Sequence, residues 1–437
     1  MAKTLAAALC ITATLTAWGA ENDQASIAKG EYLSRAGDCV ACHTAKGGKP
    51  FAGGLPMETP IGTIFSTNIT PDSNSGIGNY SFEDFDNAVR RGIRKDGSTL
   101  YPAMPYPSYA RVSGDDMRAL YAYFNSGVPP VDQINKDSEI PWPMSMRWPL
   151  AGWRLMFAPE PNPEAKASGE RGAYLVEGLG HCGACHTPRA LTLQEKALND
   201  HVGNDFLSGG APIEGWVPKD LRGSKTTGLG QWTEVDIVQF LKTGRNDRTA
   251  VFGGMSEVVD HSLQHLSQDD LGAIARYLKT LSSRNPEIAV RGDDDAAQRL
   301  HRLKIESLGA RIYADNCMAC HRSDGLGYSQ TFPGLANNSV LSDSLADSVI
   351  RIVLTGYTTP ATKEAVTQYT MPAFGWRLSD EEVAQVTTFI RQSWGNVGHQ
   401  VTADDVAKIR KGISDQELLG AAGPLLESDS NRKPVDK

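Results

Sequence analysis

The sequence predicts an all-α chain of three small helical domains in series, with loop-rich connections. Three observations predict it. The pattern C-x-x-C-H occurs three times, its first cysteines 143 and 135 residues apart. A short helical segment with Gly and Tyr precedes each, at Gly30-Glu31-Tyr32, Gly172-Ala173-Tyr174, and Gly309 with Tyr313. One amphipathic pattern follows each: Asp115-Asp116-Met117, Leu120, Tyr123-Phe124; Asp269-Asp270-Leu271, Ile274, Tyr277-Leu278; Glu381-Glu382-Val383, Val386, Phe389-Ile390. Apolar positions at i, i+3, i+6 and i+7 mark one buried face, and the acidic pair suits the positive end of the helix dipole. Self-similarity of this kind is the mark of a repeated structural unit.

In chain order, residues 1–20 read as an export signal. Lys3 supplies the positive charge, Thr4 to Trp18 is uncharged and mainly apolar, and small Gly19 and Ala20 precede polar Glu21-Asn22-Asp23. The first domain is expected over 24–135 and the second over 168–282. The third covers 305–396, followed by a tail, 397–437, with helical periodicity near Val406 to Ile413. First and last helices of each domain are expected to cross. Gly76-Ile77-Gly78-Asn79-Tyr80-Ser81 and Gly228-Leu229-Gly230-Gln231-Trp232-Thr233 echo one another. Ser81 with Asp84, and Thr233 with Asp236, fit a helix-opening box; the glycines read as structural wrapping, because no strand precedes them as a nucleotide loop requires.

The connectors differ in kind. The linker 283–304 is polar and carries Arg291-Gly292-Asp293-Asp294-Asp295. The connector 136–167 holds Trp142, Met144, Met146, Trp148, Trp153, Leu155, Met156 and Phe157. It is expected to pack between the first two domains, with docking to a partner, quinone or bilayer as the second reading. Formal net charge is −8. That argues against a nucleic-acid binder, which needs a basic face. Beyond the N-terminus no apolar run reaches the ~18 residues a spanning helix needs, so any membrane contact is peripheral.

Cysteine usage then points to chemistry. Setting Cys10 aside, every cysteine lies in a motif: Cys39 and Cys42 before His43, Cys182 and Cys185 before His186, Cys317 and Cys320 before His321. This is the pattern of c-type haem attachment, three times over. Two thiols add to the haem vinyl groups and the next imidazole reaches the iron. Zinc would need sites assembled between distant pairs, and disulfides would not require a His after each pair. The expected sixth ligands are Met104, Met255 and Met371, which follow the motif histidines by 61, 69 and 50 residues, each in a loop rich in Pro or Gly. Thioether with imidazole raises the potential and fills the coordination sphere, which suits electron transfer. Met57 and Met117 read as structural. His181, and His261 with His265, read as surface residues or supports of a neighbouring group. In the third domain, the Phe332-Pro333-Gly334-Leu335 run is placed to offer a carbonyl to the other imidazole nitrogen of His321. The cysteines and these ligands describe three tandem class I-like cytochrome c domains; no catalytic constellation stands elsewhere in the chain.

Several longer runs resemble a known family. These are Gly37-Asp38-Cys39-Val40-Ala41-Cys42-His43, Ser66-Thr67-Asn68-Ile69-Thr70-Pro71-Asp72, Tyr101-Pro102-Ala103-Met104-Pro105-Tyr106-Pro107-Ser108, and Gly180-His181-Cys182-Gly183-Ala184-Cys185-His186-Thr187-Pro188-Arg189. From about Ala28 to Asn396 the chain resembles the triple-haem cytochrome c subunit of bacterial membrane-bound dehydrogenases, such as gluconate 2-dehydrogenase and the alcohol and sorbitol dehydrogenases. The resemblance implies three covalently bound haem c groups, and FAD only in a partner subunit. It implies a separate catalytic dehydrogenase subunit with a small accessory subunit, and electron delivery to ubiquinone at the periplasmic face of the inner membrane. Asn135-Lys136-Asp137-Ser138-Glu139-Ile140-Pro141-Trp142 and Val176-Glu177-Gly178-Leu179-Gly180-His181 resemble the gluconate branch. A free periplasmic multihaem shuttle is the alternative reading. A haem peroxidase is a third, opposed by three methionines that would close the iron.

Overall fold

Gly30 shows how the outer helices of the first repeat meet. In the computed structural model, which describes residues 23–162, 170–284 and 295–420, a Cβ on Gly30 would stand 2.0 Å from the Ala119 carbonyl oxygen. Only glycine lets the 23–36 helix cross the Gly114–Ala122 helix so closely. The third repeat does the same, where a Cβ on Gly309 of the Leu308–Asn316 helix would stand 2.3 Å from the Gln385 oxygen of the Asp380–Gln392 helix. The expected crossing is thus present in both. The expected export signal at 1–20 lies outside the described residues.

Helices dominate, as expected, but two short antiparallel pairs are present that the sequence did not announce: Pro56–Thr59 with Gly62–Phe65, and Tyr357–Thr358 with Thr370–Met371. Both expected capping boxes form. Ser81 and Asp84 open the Phe82–Arg91 helix, and Thr233 and Asp236 open Glu234–Thr243. The glycines before them wrap backbone closely. A Cβ on Gly76 would lie 2.2 Å from the Thr70 oxygen, and one on Gly228 2.3 Å from the Arg222 oxygen.

Contacts group the chain into two compact units. One holds the described residues up to His181 with His261–Asp270; the other holds Cys182–Asp260 with those from Leu271 onward. Within the first, a reciprocal exchange ties helix ends together. Tyr174 donates its hydroxyl to Asp116 at 2.6 Å and accepts the Ser113 N–H at 3.2 Å. Tyr32 donates to Asp270 at 2.6 Å and accepts the Ser267 N–H at 3.1 Å. Each aspartate also carries a cation from the position before a repeat glycine: Lys29 on Asp116 at 2.6 Å, and Arg171 on Asp270 through two bonds at 2.8 and 2.7 Å. Met117 is fully buried, as its core reading requires.

The 136–167 connector departs from expectation. Ile140 is buried with Ile64 and Tyr101, Arg147 lies over the Tyr101 ring, and Trp153 packs edge-on to Tyr106. Yet Trp142 is 78% exposed, Trp148 76%, Leu155 72% and Met156 70%. The Trp148–Phe157 helix therefore packs through one part of its surface, against residues of the expected 24–135 segment, and leaves a large apolar part uncovered.

In the second unit, Tyr313, Ile350, Leu354, Val383 and Val386 form a core that also takes Val401, Val406 and Ile413. The segment after 396 is thus no mere tail as far as 420: helices Ala403–Arg410 and Asp415–Leu419 pack back, and only 421–437 lies outside the described residues. Arg391, 1% exposed, helps hold this closure by donating to the carbonyls of Asp343, Leu345 and His399.

Three candidate haem-attachment sites

Each C-x-x-C-H lies on one helical turn: Cys39–Cys42 with His43 capping it, Gly183–His186, and Met318–His321. The residue before the first cysteine is left-handed in the first two, at Asp38 (φ 49°) and His181 (φ 37°). In the third, the turn continues directly from the Leu308–Asn316 helix.

Downstream of each motif the chain builds the same clamp. The carbonyl of His43 accepts the Gly53 N–H at 2.8 Å, that of His186 the Gly209 N–H at 2.9 Å, and that of His321 the Gly327 N–H at 3.3 Å. Each of these glycines is left-handed, and so is the residue two places earlier: Phe51, Leu207 and Gly325. The carbonyls of those three accept the N–H of Ile69, Leu221 and Leu335 at 2.9, 2.9 and 2.6 Å. Two residues before each of these apolar positions stands the carbonyl that receives the imidazole. His43 Nδ1 donates to Thr67 O at 2.6 Å, His186 Nδ1 to Lys219 O at 2.7 Å, and His321 Nδ1 to Pro333 O at 2.9 Å. The expected Pro333 contact is therefore present. Sequence alone marked no acceptor for the other two, although Thr67-Asn68-Ile69 and Lys219-Asp220-Leu221 share the x-x-apolar form of Pro333-Gly334-Leu335.

This geometry settles the tautomer. A carbonyl only accepts, so Nδ1 carries the proton and the Nε2 lone pair is left free. Burial, only partly offset by these bonds, holds all three imidazoles below the ordinary histidine pKa, so they are neutral and ready to ligate. The six motif cysteines are thiols and not disulfides. Burial pushes Cys39, Cys182 and Cys317 up to about 12. Two thiols and one oriented neutral imidazole at each motif fit haem c in donor set. Among the described residues no group of three or more His, Cys, Asp or Glu side chains converges as a zinc site would require.

The methionines stand in three different settings. All are half-buried. Met104 lies in a turn, its N–H donating to the Tyr101 carbonyl and its own carbonyl accepting from Tyr106. Met255 is in the first turn of the Gly254–His261 helix rather than a loop, and Met371 is on a strand opposite Tyr357. Met255 and Met371 are linked through their neighbours, because Tyr357 donates its hydroxyl to Ser256 Oγ. Trp216 packs against Phe252 and Tyr357 at the same place, with ring centroids 5.6 and 6.1 Å apart. Met57 is half-buried on its strand.

His181 is no surface residue. It is half-buried, its Nε2 lies 3.3 Å from Gly37 O, and its ring meets Tyr109 edge-on at 5.5 Å. His261 and His265 are half-buried as well.

The cytochrome c family model matches residues 27–127 and 307–394. The chain is 56% identical over 424 residues to the gluconate 2-dehydrogenase cytochrome c subunit of Pantoea cypripedii, covering 94% of this chain and 96% of that one. It is 50% identical over 396 residues to the cytochrome c subunit of the alcohol dehydrogenase (quinone) of Gluconobacter oxydans, covering 89% and 83%. The fructose dehydrogenase cytochrome subunit of Gluconobacter japonicus is 35% identical over 425 residues, covering 91% and 85%.

Proposed function

The chain belongs to the family of dehydrogenase cytochrome c subunits, and from that premise we propose that it is a triple-haem electron-transfer subunit serving a separate catalytic subunit. That subunit bears the flavin and oxidises gluconate, a sugar or an alcohol, gluconate being favoured by the identity to the Pantoea protein. A small accessory subunit completes the complex, and ubiquinone receives the electrons at the periplasmic face of the inner membrane.

The observation that carries this reading is the threefold clamp with its free Nε2. Cys39 and Cys42, Cys182 and Cys185, and Cys317 and Cys320 hold haem through their sulfurs. His43, His186 and His321 ligate iron, each locked in one tautomer by its carbonyl partner. Met104, Met255 and Met371 are the residues that would supply a thioether to the iron, which would keep oxygen and peroxide out. When bound, haem supplies a one-electron iron couple whose potential the thioether raises. Locked imidazoles suit that task, because a ligand that does not turn on change of charge demands little reorganisation.

The uncovered face at Trp142, Trp148, Leu155 and Met156 supports membrane contact, since amphipathic rings and apolar side chains seat in the interface of a bilayer. Among the described residues no helix is long and apolar enough to cross a membrane. A visible difference spectrum of membranes holding the protein tests the role. Gluconate should reduce the c-type band, whereas ethanol, glucose and sorbitol should do so less. Reduction by dithionite alone would remove the subunit reading.

A further inference from the structure

We propose that His181 is a positioning residue that couples the first haem-attachment motif electronically to the second. This rests on the reading of both motifs as haem sites.

Gly37 stands two residues before Cys39, and His181 immediately before Cys182. The His181 Nε2 lies 3.3 Å from the Gly37 carbonyl oxygen, which can only accept, so the imidazole donates. The same carbonyl takes the Tyr109 hydroxyl at 3.1 Å, and the Tyr109 ring braces the imidazole edge-on. The wall here is thin: a Cβ on Gly37 would meet Leu179 Cδ1 at 3.3 Å and Cys39 Sγ at 3.5 Å. Burial favours the uncharged ring, so no proton need move with the electron.

A continuous path results. It runs from the Cys39 sulfur through Asp38 to the Gly37 carbonyl, crosses one hydrogen bond into the imidazole, and reaches Cys182 through a single peptide. Electronic coupling decays more slowly along covalent and hydrogen bonds than across a gap. With haem held at both motifs, each event would carry one electron along this path, the group at one motif being oxidised by one unit and that at the other reduced by one, with no bond broken. The reciprocal Tyr174–Asp116 and Tyr32–Asp270 bonds hold the surrounding helix ends, so the crossing is fixed rather than transient.

Pulse radiolysis of the full holoprotein tests this, with haem content and the midpoint potentials measured in parallel. His181→Phe keeps a ring against Tyr109 but removes the donor. It should slow electron redistribution several-fold while the potentials stay in place. His181→Gln, which restores an N–H towards Gly37, should recover much of the rate. Tyr109→Phe leaves His181 as the donor and should leave the rate at the wild-type level. An unchanged rate in His181→Phe overturns the proposal. So does equal slowing in His181→Phe and Tyr109→Phe, or a rate change explained by shifted potentials, since each marks a packing role. Fewer than three haems in the wild-type chain would instead strike at the reading beneath.

Discussion

Glu195 is an acid kept from its ordinary behaviour by its surroundings. Its Oε2 lies 2.4 Å from where a Cβ on Gly183 would stand, within the second motif. Burial pushes its pKa up to about 7, and Arg189 offsets only part of this. Between the ordinary carboxylate range and about pH 7, the unfolded chain has released the proton that the native chain still holds. Stability therefore falls as pH rises through that window, by at most about 1.4 kcal/mol per pH unit, and levels off above it. Glu195→Gln should flatten this slope in melting curves taken from pH 5 to 7; an unchanged slope would clear the residue. Asp270 runs the other way. Burial would raise its pKa, but bonds from Arg171 and Tyr32 outweigh this and hold it below the usual carboxylate value. Its contribution is complete at neutral pH and is lost as pH falls through that lowered value. The two exchanged tyrosines differ accordingly. Tyr174→Phe strips a donor from Asp116, whose side chain is 1% exposed, and should cost about 1–3 kcal/mol in urea unfolding. Tyr32→Phe should cost less, because Asp270 keeps both Arg171 bonds.

Helices meet where glycine allows it. Gly309→Ala must push a methyl into the Gln385 carbonyl, and overpacking of this kind costs about 1–3 kcal/mol. Gly152→Ala, with nothing within 4 Å of its Cβ on the Trp148–Phe157 helix, should be neutral or stabilising by up to ~1 kcal/mol. Equal effects on melting temperature would show that helix propensity, not the crossing, governs Gly309. These helices were legible in the sequence because caps, acidic first turns and apolar periodicity are local. So was the Pro333 carbonyl, since a proline run marks itself. Thr67 and Lys219 were not legible, because a backbone acceptor leaves no signature in the side chain that carries it. The left-handed Phe51 and Leu207 hid for a related reason: a bulky residue is not expected there. Met255 read as a loop residue because Gly253-Gly254 precedes it, yet those glycines only open a helix. The core role of Val401, Val406 and Ile413 depends on partners far along the chain, which a short polar-ended segment does not reveal.

At the scale of the molecule, composition misled once. The Trp-rich connector has the residues of a core, but Trp142, Trp148, Leu155 and Met156 are left exposed. Replacing Trp148 and Leu155 by Ser together should lower the fraction of protein sedimenting with phospholipid vesicles, while melting temperature holds. Equal sedimentation of variant and wild type would rule this face out as a membrane contact.

The reciprocal tyrosine–aspartate exchange bears on how far the repeats are modular. Three C-x-x-C-H motifs in one chain invite dissection into interchangeable cassettes. A fragment ended in the 136–167 connector would retain Asp116 and Lys29 but lose the hydroxyl that Tyr174 supplies, and its own Tyr32 would face water instead of Asp270. The first repeat is therefore not a spare part. Each of the two segments lends the other a tyrosine hydroxyl that hydrogen-bonds a buried acid, while the cation on that acid comes from its own segment, so a swap succeeds only if the Tyr–Asp register travels with it.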